Sequence, residues 1–192
     1  MNDKKLQDNS EYARVTSVLS PFSGLDKVPP AILKNAGRRG TKVHEICESI
    51  IKGLGDWGND DETKPYVHGF RMWWDSEPRK VLAIEQRFYD KELMITGAVD
   101  IILDNGDGTA SIIDLKTSAK ESKTWPLQGS AYAHMARQHG YNVTRILFVH
   151  LNKHGIYPGL CNYDDQFETF HACLMVYNYF YRDSDEKRQK KN

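Results

Sequence analysis

The chain reads as an α/β protein, a central mixed β-sheet with flanking helices, and three observations predict this. Apolar residues recur at helical spacing early on, switch to a strand-like pattern between 81 and 116, and return to helical spacing on either side of 145–151. A strong hairpin signal, Asn105, Gly106, Asp107 and Gly108, interrupts the strand-like stretch. Residues 145–151 form a near-continuous apolar run, as expected of a strand covered on both faces.

Residues 1–30 read as an irregular amino-terminal arm ending at Pro29 and Pro30. A short helix over 31–35 is expected to stop at Gly37. A second helix covers 41–54, where Val43, Ile46, Cys47, Ile50, Ile51 and Leu54 share a stripe and Gly53 and Gly55 mark the end. A polar loop over 56–65 leads to a helix over 66–76, closed by Pro78. Three antiparallel strands follow, over 81–89, 93–103 and 109–116. A helix over 126–139 has Pro126 in its first turn and Gly140 past its end. After the strand at 145–151, a closing helix over 167–181 has Asp164 or Asp165 available as its N-cap. Residues 31–182 then make one domain, and 183–192 a charged, solvated tail whose bases are a candidate contact for a polyanion.

Lys and Arg total 26, balanced by 26 Asp and Glu, so net charge lends no support to a nucleic-acid partner; only the local groups Lys34, Arg38, Arg39, Lys42 and Lys116, Lys120, Lys123 do. Cys47, Cys161 and Cys173 are far apart, which argues against a zinc cage or a disulfide framework and fits a reducing compartment. The first residues lack the apolar core of a signal peptide, and no stretch approaches a membrane span. A cytoplasmic location without membrane association is the expectation.

The chemistry concentrates in residues 97–118. Side chains alternate along a strand, so Asp114 and Lys116 point together while Ile113 and Leu115 point the other way. If Gly106 to Gly108 form the loop, pairing is centred on Asp107 and Asp100 falls opposite Asp114, with Cβ atoms about 4.5–5.5 Å apart. Two carboxylates that close repel unless one is protonated or a cation lies between them. A divalent ion with a lysine beside it satisfies all three groups; an Asp114–Lys116 salt bridge is the plainer reading.

Magnesium takes oxygen ligands, which Asp100, Asp114 and the carbonyl of Leu115 supply. Such an ion lowers the pKa of a water and polarises a phosphoryl oxygen. Lys116 then orients or helps deprotonate that water, or offsets transition-state charge. These residue types suit phosphodiester hydrolysis; no nucleophile–base pair for acyl transfer is evident. Glu85, on the preceding strand, is a candidate base or metal partner, or a surface residue. His44, at the edge of its helix's apolar stripe, is structural or a further ligand through a neutral ring nitrogen. Gln128 and Tyr132, four apart on the helix after Lys116, share a face that can meet a DNA backbone or base, though Tyr132 also fits a core. Trp73, Trp74 and Trp125 read first as core, with base stacking as the alternative.

His44 following Arg39, Gly40 and Thr41, then Gly97 with Asp100, Asp114 with Lys116 and Thr117, and Gln128 with Tyr132 form an ordered series. In that order it resembles the RecB-like branch of the PD-(D/E)xK nuclease superfamily, with greatest similarity to mitochondrial genome-maintenance exonuclease and single-domain phage exonucleases. The likeness covers roughly residues 38–181. It implies a restriction-endonuclease-like core and a metal site for Mg²⁺ or Mn²⁺ from His44, Asp100, Asp114 and Leu115. It implies Lys116 as catalytic lysine with Asp100, Asp114 and Glu85, and a substrate side formed by Gln128 and Tyr132, to which Arg38, Arg39, Thr117 and Ser118 are added as candidates. The implied activity is digestion of DNA from free, single-stranded ends, in phage, repair or recombination settings. Alternatives are a duplex-end recombination exonuclease, an endonuclease of the same fold, or a non-catalytic nucleic-acid-binding protein. A helicase, polymerase or recombination partner and an oligomer are compatible with this. The proline of the superfamily's name is absent, since Ala98 and Val99 precede Asp100, and there is no cysteine cluster, so the iron–sulfur cluster of some relatives is not expected.

Overall fold

The structure, a computed structural model, describes residues 11–182. The readings of residues 1–10 and of the tail at 183–192 lie outside these. Strand β1 (Ala13–Arg14) leads into helix α1 (Val15–Leu19), then two 3₁₀ turns, helices α2 (Pro30–Ile51) and α3 (Lys64–Trp74), and strands β2 (Lys80–Asp90), β3 (Ile95–Asp104) and β4 (Ala110–Lys116). Helix α4 (Trp125–Gln138), strands β5 (Val143–His150) and β6 (Gly159–Tyr163), and helix α5 (Phe167–Phe180) complete the fold.

The mixed sheet runs β1-β3-β4-β5-β6, with β2 pairing along the other side of β3. Strands β2–β3, β3–β4 and β5–β6 pair antiparallel, whereas β4–β5 and β1–β3 are parallel. Helices cover both faces, as a parallel pair at the sheet centre requires. On one face, Val99, Ile112 and Phe148 pack with Val18 of α1, Ala131 and Met135 of α4, and Phe170 and Leu174 of α5. On the other, Ile101, Ile113, Leu147 and Val149 pack with Val43, Ile46 and Cys47 of α2 and Phe70 and Trp73 of α3. Each large side chain so buried contributes about 1.5–3 kcal/mol. Strand β5 supplies both faces, which explains its apolar run.

At the far end of β2, buried Asp90 accepts the N–H groups of Glu92 and Leu93, both at 2.9 Å. Its second oxygen lies 3.1 Å from His134 Nε2 and accepts from Gln138 Nε2 at 3.0 Å, tying the β2–β3 turn to α4.

Several expectations are corrected. The irregular reading of 1–30 fails over Ala13–Leu19, where Ala13, Val15, Val18 and Leu19 enter the core; one turn of helix is too short to show a period. The break at Gly37 does not occur: α2 runs unbroken through Gly37 and Gly40. A helical glycine costs only about 1 kcal/mol, and Gly40 has a packing reason, since a Cβ there would sit 3.2 Å from Thr117 Oγ1. Strand β6 has no counterpart in the sequence reading, because its side chains are exposed or half-buried at the sheet's edge. The N-cap of α5 is Gln166, although Asp165, one residue earlier, accepts the Phe167 N–H at 3.0 Å. The core reading of Trp73, Trp74 and Trp125, by contrast, agrees with the structure: Trp125 lies parallel to Phe148 at 5.6 Å and Trp74 to Phe70 at 5.7 Å, and Trp73 is buried.

Candidate metal and active site

The β3–β4 register, Ile101 with Ile113 and Asp104 with Ala110, is centred on Asp107, as the hairpin reading predicts, and one further pair would set Asp100 against Asp114. Pairing stops at Ile101, however, and the sheet forks there: β4 continues alongside β5 to Lys116. Beyond the fork, β3 next meets a strand on that side only at β1, opposite Ile95 and Thr96. The site is built around this opening.

The pleat of β3 also changes phase at Asp100. Residues two apart normally share a face, yet Val99 packs on the α4 side and Ile101 on the α2 side. Across from Asp100 on β2, bracketed by the pairs Ile84–Ile101 and Gln86–Val99, Glu85 has φ +48°. A non-glycine residue in that region is strained, and such strain gathers at functional sites. The consequence is that Asp100 reaches α2. Its Oδ1 lies 3.3 Å from His44 Nδ1, and its Oδ2 accepts the Leu115 N–H, released by the fork, at 2.7 Å.

His44, Glu85 and Asp100 bring one donor atom each within 4.8 Å of one another. Burial would lower the His44 pKa, but Asp100 and then Asp114 lift it to about 9. Asp100 is raised by burial and lowered by more from His44, the Leu115 N–H and Lys116, so it stays ionised. Glu85 is exposed as a residue, while its carboxyl end sits in the cluster, where burial and then Asp100 push it up to about 7.

Asp114 and Lys116 face α4 together. Lys116 Nζ is 2.6 Å from Asp114 Oδ2, with side-chain exposures of 19% and 4%. It also donates to Gln128 Oε1 at 3.0 Å. Gln128 Nε2 in turn donates to Tyr132 Oη at 2.9 Å and lies 3.3 Å from Asp114 Oδ1. Burial foremost, and then Asp100, hold the Asp114 pKa up against the pull of Lys116. The buried Oδ2 thus has the Lys116 ammonium directly beside it. Burial also raises the Tyr132 phenol, which stays protonated.

The structure thus brings His44, Glu85, Asp100, Asp114, Lys116, Gln128 and Tyr132 into one contact network. Gln128 and Tyr132 are buried and bonded inward, toward Asp114 and Lys116. Thr117 is buried against Gly40 of α2, and Ser118 Oγ donates to the Lys120 carbonyl at 2.9 Å. Arg38 is drawn to Glu62 at 3.0 Å, and Arg39 lies 5.2 Å over the Tyr66 ring with its Nε buried and without a partner. Sequence reasoning missed the neighbourhood of Lys123, Asn162, Tyr163 and Gln166, which line a common cleft. Three of these four follow or belong to the unrecognised β6, and only the Lys116, Lys120, Lys123 group signalled it.

The residues fit a divalent cation. A histidine and two carboxylates converge, a donor set of nitrogen and oxygen ligands.

Residues 59–172 match the sequence profile of the PD-(D/E)XK nuclease superfamily. No curated protein matches the chain. Among solved structures, a protein of Eubacterium rectale provisionally named an exonuclease aligns with TM-score 0.55 and 13% identity, over 97% of this chain and 86% of that one. The structure of SSO0001 aligns with TM-score 0.42 and 17% identity, over 86% of this chain and 76% of that one. The first shares the fold. No helix among the described residues is long and apolar enough to cross a membrane.

Proposed function

Because the chain belongs to the PD-(D/E)XK nuclease superfamily, we propose that it is a metal-dependent deoxyribonuclease of the RecB-like branch that hydrolyses DNA from free single-stranded ends. The observation that carries the proposal is the convergence of His44, Glu85 and Asp100 beside the buried Asp114–Lys116 pair. His44, Asp100, Asp114 and the Leu115 carbonyl, with Glu85 as a further acid, would hold Mg²⁺ or Mn²⁺. When bound, that ion supplies Lewis-acid polarisation of a phosphoryl oxygen and a lowered pKa for an attacking water.

The chain's own residues do the rest. The Leu115 N–H and His44 orient the Asp100 carboxylate. Lys116, held between Asp114 and Gln128, presents N–H groups to the negative charge that grows on the phosphorane oxygens. Gln128, itself fixed by Tyr132, holds the lysine's position, so we assign both a positioning role. A water attacks phosphorus and releases one proton to solvent, the P–O bond to the leaving oxygen breaks, and that oxygen takes up a proton from solvent.

Two experiments test this. Purified Lys116→Ala and Asp114→Asn proteins should keep the wild-type circular dichroism spectrum and lose cleavage in Mg²⁺; full cleavage by either overturns the mechanism. Matched linear and circular single-stranded DNA, digested side by side, should lose only the linear form. Loss of both would make the protein an endonuclease.

A further inference from the structure

Beside the catalytic lysine lies a cleft that the hydrolytic chemistry does not use. It opens between the first turn of α4 and the β6–α5 connection, has a volume of about 350 Å³, and is lined by Lys123, Pro126, Leu127, Asn162, Tyr163 and Gln166. We propose that it seats one unpaired nucleotide of the strand being cut, with the base against Pro126, Leu127 and Tyr163 and the phosphate on Lys123. The inference rests on the nuclease reading and adds to it a specific contact that selects single strands.

Position is the first argument. The Tyr163 ring meets Phe148 edge-on at 5.4 Å, and Lys116 Nζ stands 5.2 Å over that same Phe148 ring. Trp125, next to Pro126 in the wall, stacks on Phe148 as well. One aromatic side chain therefore separates the cleft from the catalytic lysine, and a strand whose end is at Lys116 has the cleft within reach of a neighbouring nucleotide.

Size is the second. Small-molecule sites run from about 300 to 1,000 Å³, so this cleft sits at the small end and takes a single nucleotide but no base pair.

Chemistry is the third. Flat apolar and aromatic walls accept any base, and stacking of this kind tolerates all sequences. Around them stand donors that the protein leaves unengaged. Lys123 has no ion-pair partner among the described residues, and neither does Lys120. Arg145 Nε donates to Asn162 Oδ1 at 2.8 Å, which fixes the amide and leaves its NH₂ group to donate to a base edge. Gln166 gives its backbone N–H to Ser130 Oγ at 2.7 Å and keeps its side-chain amide. Asp164 is the one acid of the lining and repels phosphate, which favours the Lys123 side. On α2, by contrast, Lys42 is paired with Asp60 at 2.6 Å and Arg38 with Glu62 at 3.0 Å.

The test reads binding apart from cleavage. Fluorescein-labelled single-stranded and duplex oligonucleotides are titrated in EDTA and followed by anisotropy for wild type, Lys123→Ala, Lys123→Arg and Tyr163→Leu. The expected result is weaker single-strand binding by Lys123→Ala, a salt slope reduced by about 0.7, and recovery with Lys123→Arg. Tyr163→Leu should weaken binding about 5-fold or more, the loss of one stacked base, with the salt slope unchanged. Duplex binding should be the same in all four proteins. Unchanged single-strand affinity and slope in Lys123→Ala overturn the proposal, as does an equal loss on duplex. Cleavage of the same single strands in Mg²⁺ reports separately on the nuclease reading. Wild type that cuts while Lys123→Ala binds normally refutes the cleft alone; wild type that binds through Lys123 without cutting refutes the hydrolytic reading alone.

Discussion

Replacing Gly97 by alanine tests whether Lys116, the proposed catalytic lysine, is positioned from the sheet through α4. A Cβ at Gly97 would lie 2.4 Å from Tyr132 Cε1 and 3.0 Å from Cδ1, with Met135 Cε at 3.2 Å. Carbon atoms prefer about 3.5–4.0 Å. The Met135 methyl can swing aside, but the Tyr132 ring is buried and its hydroxyl accepts from Gln128, which holds Lys116. The ring must therefore move and pull on that chain of contacts. Overpacking of this kind costs about 1–3 kcal/mol; at about 2 kcal/mol, a chain of this length should melt about 4–8 °C lower. Thermal unfolding of Gly97→Ala, Tyr132→Ala and the double variant measures this. With the ring gone, the alanine at 97 should cost almost nothing, a coupling of at least about 1 kcal/mol. In cleavage assays at a temperature where all remain folded, Gly97→Ala should be slower than wild type with unchanged metal affinity. An equal loss of stability in both backgrounds, or an unchanged melting point for Gly97→Ala, refutes the reasoning.

Three further outcomes are expected. Calorimetric titration with Mn²⁺ should show one binding event that His44→Ala and Asp100→Asn weaken markedly, whereas Lys116→Ala binds the ion and does not cleave. In metal-free protein, Glu85 and His44 both have raised pKa values, so the stability each contributes is present below its ordinary value and lost as pH rises through the folded one. Melting temperature should then fall as pH climbs from about 4.5 to about 7 through Glu85 and again toward about 9 through His44, and Glu85→Gln should flatten the first fall. Asp90→Ala, which strands the Glu92 and Leu93 N–H groups along with Gln138, should cost about 3 kcal/mol by urea titration while the cleavage rate per folded molecule stays unchanged.

Much of this molecule was legible before its structure. The alternation around Ile113 and Leu115 puts Asp114 and Lys116 on one face, and the glycines around Asp107 set a register that pairs Ile101 with Ile113, one step short of Asp100 and Asp114. Both follow from local rules, the two-residue period of a strand and the few ways to close a hairpin. Short or exposed elements were not legible. Val15, Val18 and Leu19 make a single turn, and β6 shows no alternation because it lies at an edge.

The sequence by itself determined the fold class, the hairpin register and the identity of the charged residues, because each depends on neighbours within one or two elements. Tertiary structure alone decided how those charges are shared. The fork between β3 and β4 and the pleat change at Asp100 send that carboxylate to His44 on α2, while Asp114 stays with Lys116 and Gln128 on the α4 side. It also decided that Arg38 and Lys42 face acids from the α2–α3 loop, and that Lys123 shares a cleft with Asn162 and Gln166. These contacts join residues far apart in the chain, and their partners are chosen by packing across the sheet, which no local pattern encodes.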